Sequence, residues 1–410
     1  GVALAHRPPD GLVAVAFALI LIGFLTKAAV VPMHFWLADA HAVAPVPVCV
    51  LFSGVMVELG LFGAARVYWT AFAGALEPQA AEVTHVLVWL GVLTALVGAV
   101  MCVAQRHLKR LLAFSTVSHM GIFLIGLALL SDKGVAGVAV YVVAHGLAKG
   151  SLFMCAGVLL HRFAMIEEHE LRGRGRRRDL ALVGAIMAAG GIVLSAAPML
   201  GTFFGKSLIE EGSLERGYAF LPAVITLASA LTGGAVLRVT GRVFLGWGPA
   251  DPPDDPVAEE ALEEQAETLA PHDRTPVTMV VPALVLMLGA IVAGLVPGFV
   301  HAAEHAAAHF RDHAAYARAV LEGGARFADT EPSKLTAADF LYGAASTLGA
   351  LAVAAIALFG RGLVSRLPLA GPDRALGALR DLHSGHVGDY VAWLTVALAG
   401  LGGIFALTLT

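Results

Sequence analysis

Charge is what this sequence has least of. Asp, Glu, Lys and Arg make up 14% of its 410 residues, where a soluble domain carries roughly 25%. That is too little for a water-facing surface, and it excludes an ordinary soluble enzyme, a nucleic-acid binder and a disordered chain. The formal net charge of −4 is too small to imply an anionic partner. Cysteine is scarce too. Cys49, Cys102 and Cys155 each lie inside an apolar run with no C-x-x-C spacing, so neither a disulfide framework nor zinc or iron–sulfur ligation is expected. Glycine-rich nucleotide loops, metal-ligand clusters and nucleophile–base pairs are missing from the pattern, and no cofactor is expected. The chain starts at Gly1, and its first apolar run lacks the cleavage pattern of a signal peptide. It reads as a fragment without its natural N-terminus.

What is abundant is apolar sequence: 58% of residues are hydrophobic, with a mean hydropathy of +0.78. Runs long enough to span a bilayer recur at 12–31, 46–69, 85–104, 111–131, 135–161, 180–204, 219–245, 277–298, 339–360 and 389–409. Backbone amides in lipid must bond internally, so these runs are expected as helices. Small residues such as Ala188-Ala189-Gly190-Gly191 let such helices pack closely. The expected fold is an all-α polytopic transmembrane bundle of about ten helices, organised as a core over 1–245, an acidic loop over 246–276 and C-terminal transmembrane helices over 277–410. The loop holds Glu259, Glu260, Glu263, Glu264 and Glu267 and reads as a solvated face.

Threading the ten runs alternately through a bilayer puts fifteen Lys and Arg on one side and seven on the other. The richer side includes the short basic loops 105–110, 162–178 and 361–380, and the positive-inside rule assigns it to the cytoplasm of a cell-membrane protein.

Five ionisable residues resist that sorting: Lys27, Glu58, His145, Lys149 and Lys206 lie within or at the end of apolar runs. At about 2.5–3.5 kcal/mol for each charge at the bilayer centre, they represent on the order of 10 kcal/mol of adverse insertion energy. A hydrated interior lined by functional groups explains them best. Pro32 follows Lys27 and Pro198 precedes Lys206. Since proline disturbs the preceding turn, two discontinuous helices are expected, each carrying one lysine. His145 and Lys149, four apart, share one helix face, and a His followed by a Lys on an inward stripe suits a proton relay. Glu58 is the candidate acid, its eight-residue distance from Arg66 making direct pairing doubtful. His119 reads as a satisfied core histidine. His301, His305, His309 and His313 recur every four residues, a spacing that suits chelation, but without facing ligands they read as an external His-rich surface helix. No metal is expected.

The segment Thr26-Lys27-Ala28-Ala29-Val30-Val31-Pro32-Met33-His34-Phe35-Trp36-Leu37-Ala38-Asp39-Ala40-His41 resembles a signature of the proton-conducting antiporter-like membrane subunits. These include the large membrane-arm subunits of respiratory complex I, hydrogenase-4-type membrane subunits and Mrp-type sodium/proton antiporter subunits. Further matches are Leu108–Gly121, His145–Gly157 and Pro198–Lys206, four motifs in the family's order over 1–245. The resemblance implies inverted repeats with two broken helices, Lys27 and Lys206 as their lysines, and His145 with Lys149 as the connecting relay. It implies other membrane-arm subunits, the lipid bilayer and protons, or Na+, as partners, and no nucleic acid. Two departures stand out: the family's glutamate partner for the first lysine lies on an earlier helix that has no counterpart here, and Glu58 stands where many relatives carry Lys or His. Only about 28 residues separate the last two runs, too few for the long lateral helix of some complex I relatives. The leading expectation is a proton-translocating subunit of a redox-driven complex with no redox centre of its own. An Mrp-type antiporter subunit, with Glu58 or Asp39 as a cation site, is the first alternative. A structural membrane anchor is the second.

Overall fold

The computed structural model describes residues 11–249, 270–296, 298–312, 314–316, 318, 332–360, 377 and 387–408. Most of the acidic loop, most of the basic loop 361–380 and His313 lie outside them. The described residues are mostly helical. They contain no β-strand, only a single antiparallel bridge between His107 and Glu167.

Among the described residues, eight helices have the length and apolarity to cross a membrane, and each coincides with one of the ten apolar runs. The other two runs, 12–31 and 180–204, are the two in which a break was expected. The first forms α1 (Gly11–Lys27) and, after an interruption at 28–34, α2 (Phe35–Val43). Next come α3 (Val46–Phe72), α4 (Ala80–Ala104), α5 (Leu108–Ala128) and α6 (Asp132–Phe163). The second break separates α7 (Ala181–Leu194) from α8 (Gly201–Glu215). The chain continues through α9 (Leu221–Leu245), α10 (Val277–Val292), α11 (Phe299–Arg311), α12 (Ala337–Phe359) and α13 (Val387–Thr408).

At both breaks the freed backbone groups find partners, as an apolar medium demands. The Thr26 carbonyl accepts from Trp36 Nε1 at 2.9 Å, and the Val31 amide donates to Thr94 Oγ1 at 3.2 Å. In the second break, Val193 O accepts from Thr202 Oγ1 at 2.5 Å and Ser195 O from Ser346 Oγ at 2.6 Å. Ala29, Ala196 and Met199 hold positive φ values of 52°, 55° and 66°, backbone that non-glycine residues seldom adopt outside constrained sites.

Helix α5 is the axis of the bundle, buried along nearly its whole length. Glycine makes that possible. A Cβ at Gly121 would stand 2.2 Å from the Ala95 amide nitrogen, and one at Gly98 would stand 2.4 Å from that of Ser118. The α4 and α5 backbones therefore touch, a contact suited to a medium without a hydrophobic drive between helices. The expected His-rich surface helix is α11. It is amphipathic: Glu304 and Ala307 are buried, the Phe310 ring meets Phe62 at a tilt and Trp69 edge-on, both of α3, and His301 faces outward.

Candidate buried relay

Close backbone contact builds the first part of the site. Helices α3 and α6 cross where a Cβ on Gly146 would lie 2.7 Å from the Gly54 carbonyl oxygen. That crossing sits beside His145 and one turn before Glu58, and it falls within a π-helical turn at Phe52–Met56, a feature frequent at functional sites. The result is a direct contact: His145 Nδ1 lies 2.9 Å from Glu58 Oε1, with His145 fully buried and Glu58 8% exposed. Both residues were expected as relay groups, but their pairing was not. Burial of a carboxylate is tolerable only with such a partner.

His119 of α5 extends the pair. Its ring stacks on that of His145, with centroids 4.7 Å apart and planes at 30°. Its Nδ1 meets the Ser115 carbonyl at 2.7 Å, and its ring lies near the Leu194 backbone at the edge of the second break. One turn back, Lys149 Nζ donates to the Leu112 carbonyl at 2.8 Å and to the Ser115 hydroxyl. Lys149 is completely buried, and within the described residues its ammonium touches no carboxylate. A hydroxyl chain runs on from here: Ser53 Oγ bonds Thr116 Oγ1 at 2.9 Å and His41 Nε2 at 3.1 Å, and Thr116 donates to Leu112 O at 3.1 Å. His41, at the end of α2, is fully buried.

A second cluster occupies α8. Lys206, 1% exposed, lies 3.1 Å from Glu210 Oε1 one turn along the same helix. Thr226 Oγ1, the Tyr342 carbonyl and Ser346 Oγ stand 3.3–3.5 Å from the ammonium. Lys206 does not reach the membrane interface: its side chain points into the bundle among α8, α9 and α12.

Lys27 stands apart. Its side chain is exposed at the last turn of α1, and no hydrogen bond or ion pair reaches it from the described residues. The neighbours that made it look submerged, Leu25 and Ala28, are themselves fully buried. Asp39 is engaged by Arg110 at 3.3 Å and by the Tyr390 hydroxyl.

Three functional candidates escaped the sequence reading. His119 sits in a neutral motif that a core histidine also fits. Glu210 is followed by Glu211 and reads as the charged end of a helix, although its i,i+4 spacing from Lys206 was a usable signal. At one end of the bundle, Arg238 grips Glu168 through Nε at 3.0 Å and Nη2 at 2.7 Å and also donates to the Val103 and Gln105 carbonyls, while Arg242 adds His169 and Glu168. This pins the loop after α6 against α4 and α9. Beside it, burial and the neighbouring Glu168 push the Glu167 carboxyl up to about 7.

Comparison with known proteins follows the same outline. The model of the NADH:quinone oxidoreductase/Mrp antiporter transmembrane family matches residues 9–232. An NADH-quinone oxidoreductase subunit of Desulforudis audaxviator is 32% identical over 285 residues, covering 68% of this chain and 54% of the relative. A Na(+)/H(+) antiporter subunit of Bacillus subtilis is 26% identical over 287 residues, covering 70% and 54%. In three dimensions, a component of the Mrp complex from Dietzia sp. DQ12-45-1b superposes with a TM-score of 0.64 at 27% identity, covering 76% of this chain and 62% of that one. The chain thus spans about half the length of the curated relatives it matches.

Proposed function

This chain belongs to the NADH:quinone oxidoreductase/Mrp antiporter transmembrane family, and on that premise we propose that it moves protons through a buried relay as one subunit of a larger membrane complex. The observation that carries the reading is the arrangement Glu58–His145–His119, with Lys149 alongside and the Lys206–Glu210 pair farther on, all inside the apolar bundle. Ionisable groups so placed are costly, and proton passage is the use that repays them. Lys27, at the exposed end of α1, is where a charge change from a neighbouring subunit acts first. The proton then passes by way of His145 and Lys149 towards Lys206 and leaves at the far face. The ends carrying loops 105–110, 162–178 and 361–380 face the cytoplasm.

The same relay serves a redox-driven complex and an Mrp-type antiporter. A sodium site within this chain is the less supported element, because Glu58 is taken by His145 and Asp39 by Arg110 and Tyr390. Lys206→Ala, introduced into the purified complex in proteoliposomes, is expected to abolish proton transport while leaving assembly intact. Transport at the parental rate would overturn the proposal.

A further inference from the structure

Two polar clusters lie within the bundle, and among the described residues no hydrogen bond joins them. Glu58, His145, His119, Ser115 and Lys149 form one; Lys206, Glu210, Thr226 and Ser346 form the other. Tyr141 stands between. It lies one turn before His145 on α6 and is fully buried. Its ring meets His119 edge-on at 5.7 Å and Phe123 at 5.1 Å.

On its other side Tyr141 packs directly against α8. A Cβ on Gly205 would come within 2.5 Å of the Tyr141 amide nitrogen, so Tyr141 emerges beside the residue that precedes Lys206. Its hydroxyl lies next to Ser229 of α9, without closing a hydrogen bond, and within the field of the Glu210 carboxylate.

The polar atoms of this gap are orphans. His145 Nε2, Tyr141 Oη, Ser229 Oγ and Glu210 Oε2 are all buried without a partner among the described residues. A buried polar group left unmet is costly. Three of the four, on α6, α9 and α8, lie together, since Ser229 and Glu210 both act on the Tyr141 hydroxyl, and His145 is one turn along α6 from Tyr141. A short chain of hydroxyls and buried water satisfies that arrangement.

A phenol suits the middle of such a chain because it donates and accepts at once. The hydroxyl accepts a proton from the His119–His145 side as its own O–H bond breaks towards Glu210. One bond forms, one breaks, and the ring never carries lasting charge. We propose that the Tyr141 hydroxyl is the junction through which protons pass from the cluster of His145, Lys149 and His119 to Glu210 and on to Lys206, with Ser229 positioning it. This rests on the relay reading above and adds a residue to it.

The test is proton uptake by the complex in proteoliposomes. Tyr141→Phe keeps the ring and removes the hydroxyl, and transport is expected to fall about tenfold or more with yield and thermal stability unchanged. Replacing Tyr141 by 3-fluorotyrosine keeps the shape and makes the hydroxyl more acidic. A change in rate of about threefold supports the junction, since a packing role would not respond. It also carries the test if Tyr141→Phe fails to assemble. Parental rates in an assembled Tyr141→Phe complex, or with 3-fluorotyrosine, overturn the proposal. If Lys206→Ala abolishes transport while Tyr141→Phe leaves it intact, the junction alone fails. If neither has an effect, the relay reading fails with it.

Discussion

The Glu58–His145 contact shows why a carboxylate can sit inside an apolar bundle. A buried acceptor is stabilised by a donor held at hydrogen-bond distance, and here the donor is fixed by the Gly54–Gly146 crossing. Glu58→Gln keeps the shape and an acceptor oxygen but removes the proton-binding group. Transport measured in vesicles is expected to drop about tenfold or more with assembly preserved. Arg238→Ala acts on stability instead. It leaves the 1%-exposed Glu168 carboxylate with Arg242 alone, at 3.4 Å; losing a whole buried pair costs about 3–5 kcal/mol, so a smaller loss is expected here, readable as a lower melting temperature in detergent. Glu58, His145, Lys149 and Lys206 were legible because a charge in an apolar run is conspicuous. Lys27 was equally conspicuous, but its helix face was not legible. His119 was illegible for a different reason: its role arises from a stacking contact 26 positions away along the chain, which no local pattern encodes.

At the scale of elements, the two prolines were enough to foretell where helices break, since the constraint is local. The pairing of α4 with α5 was not, because it depends on which glycines face each other. Gly121→Val places side-chain atoms where the Ala95 backbone already stands. Overpacking of this kind costs about 1–3 kcal/mol or more, and the expected outcome is a marked loss of folded protein by size-exclusion chromatography. The loop after α6 adds a pH dependence. Burial raises the Glu167 carboxyl to about 7 from an ordinary value of 4.5, so the folded state binds the extra proton between these values. Its contribution to stability is therefore full below about 4.5 and is lost as pH rises through about 7. Glu167→Gln should flatten the thermal stability profile across that window in a series of melts at different pH.

Across the whole molecule, a bundle with few charges concentrates those it has. At one end, Arg162, Arg238 and Arg242 with Glu168 and Asp179 tie the loop after α6 to the helix ends. In the middle, Glu58, His145, His119 and Lys149 share the interior with the Lys206–Glu210 pair. The apolar runs made legible the eight helices that, among the described residues, are long enough to cross a membrane. The lateral order of the helices was not, since runs of equal hydropathy do not say which is central, and α5 proves to be the axis. The central claim is that protons cross by way of the interior groups, and Lys149 is the group among them held only by a carbonyl and a hydroxyl. Lys149→Met keeps the length of the side chain and removes the ammonium. The most direct measurement is proton uptake by proteoliposomes containing the complex with that substitution. The account predicts uptake no faster than the passive leak of empty vesicles, in a complex that still assembles; uptake at the parental rate would contradict it.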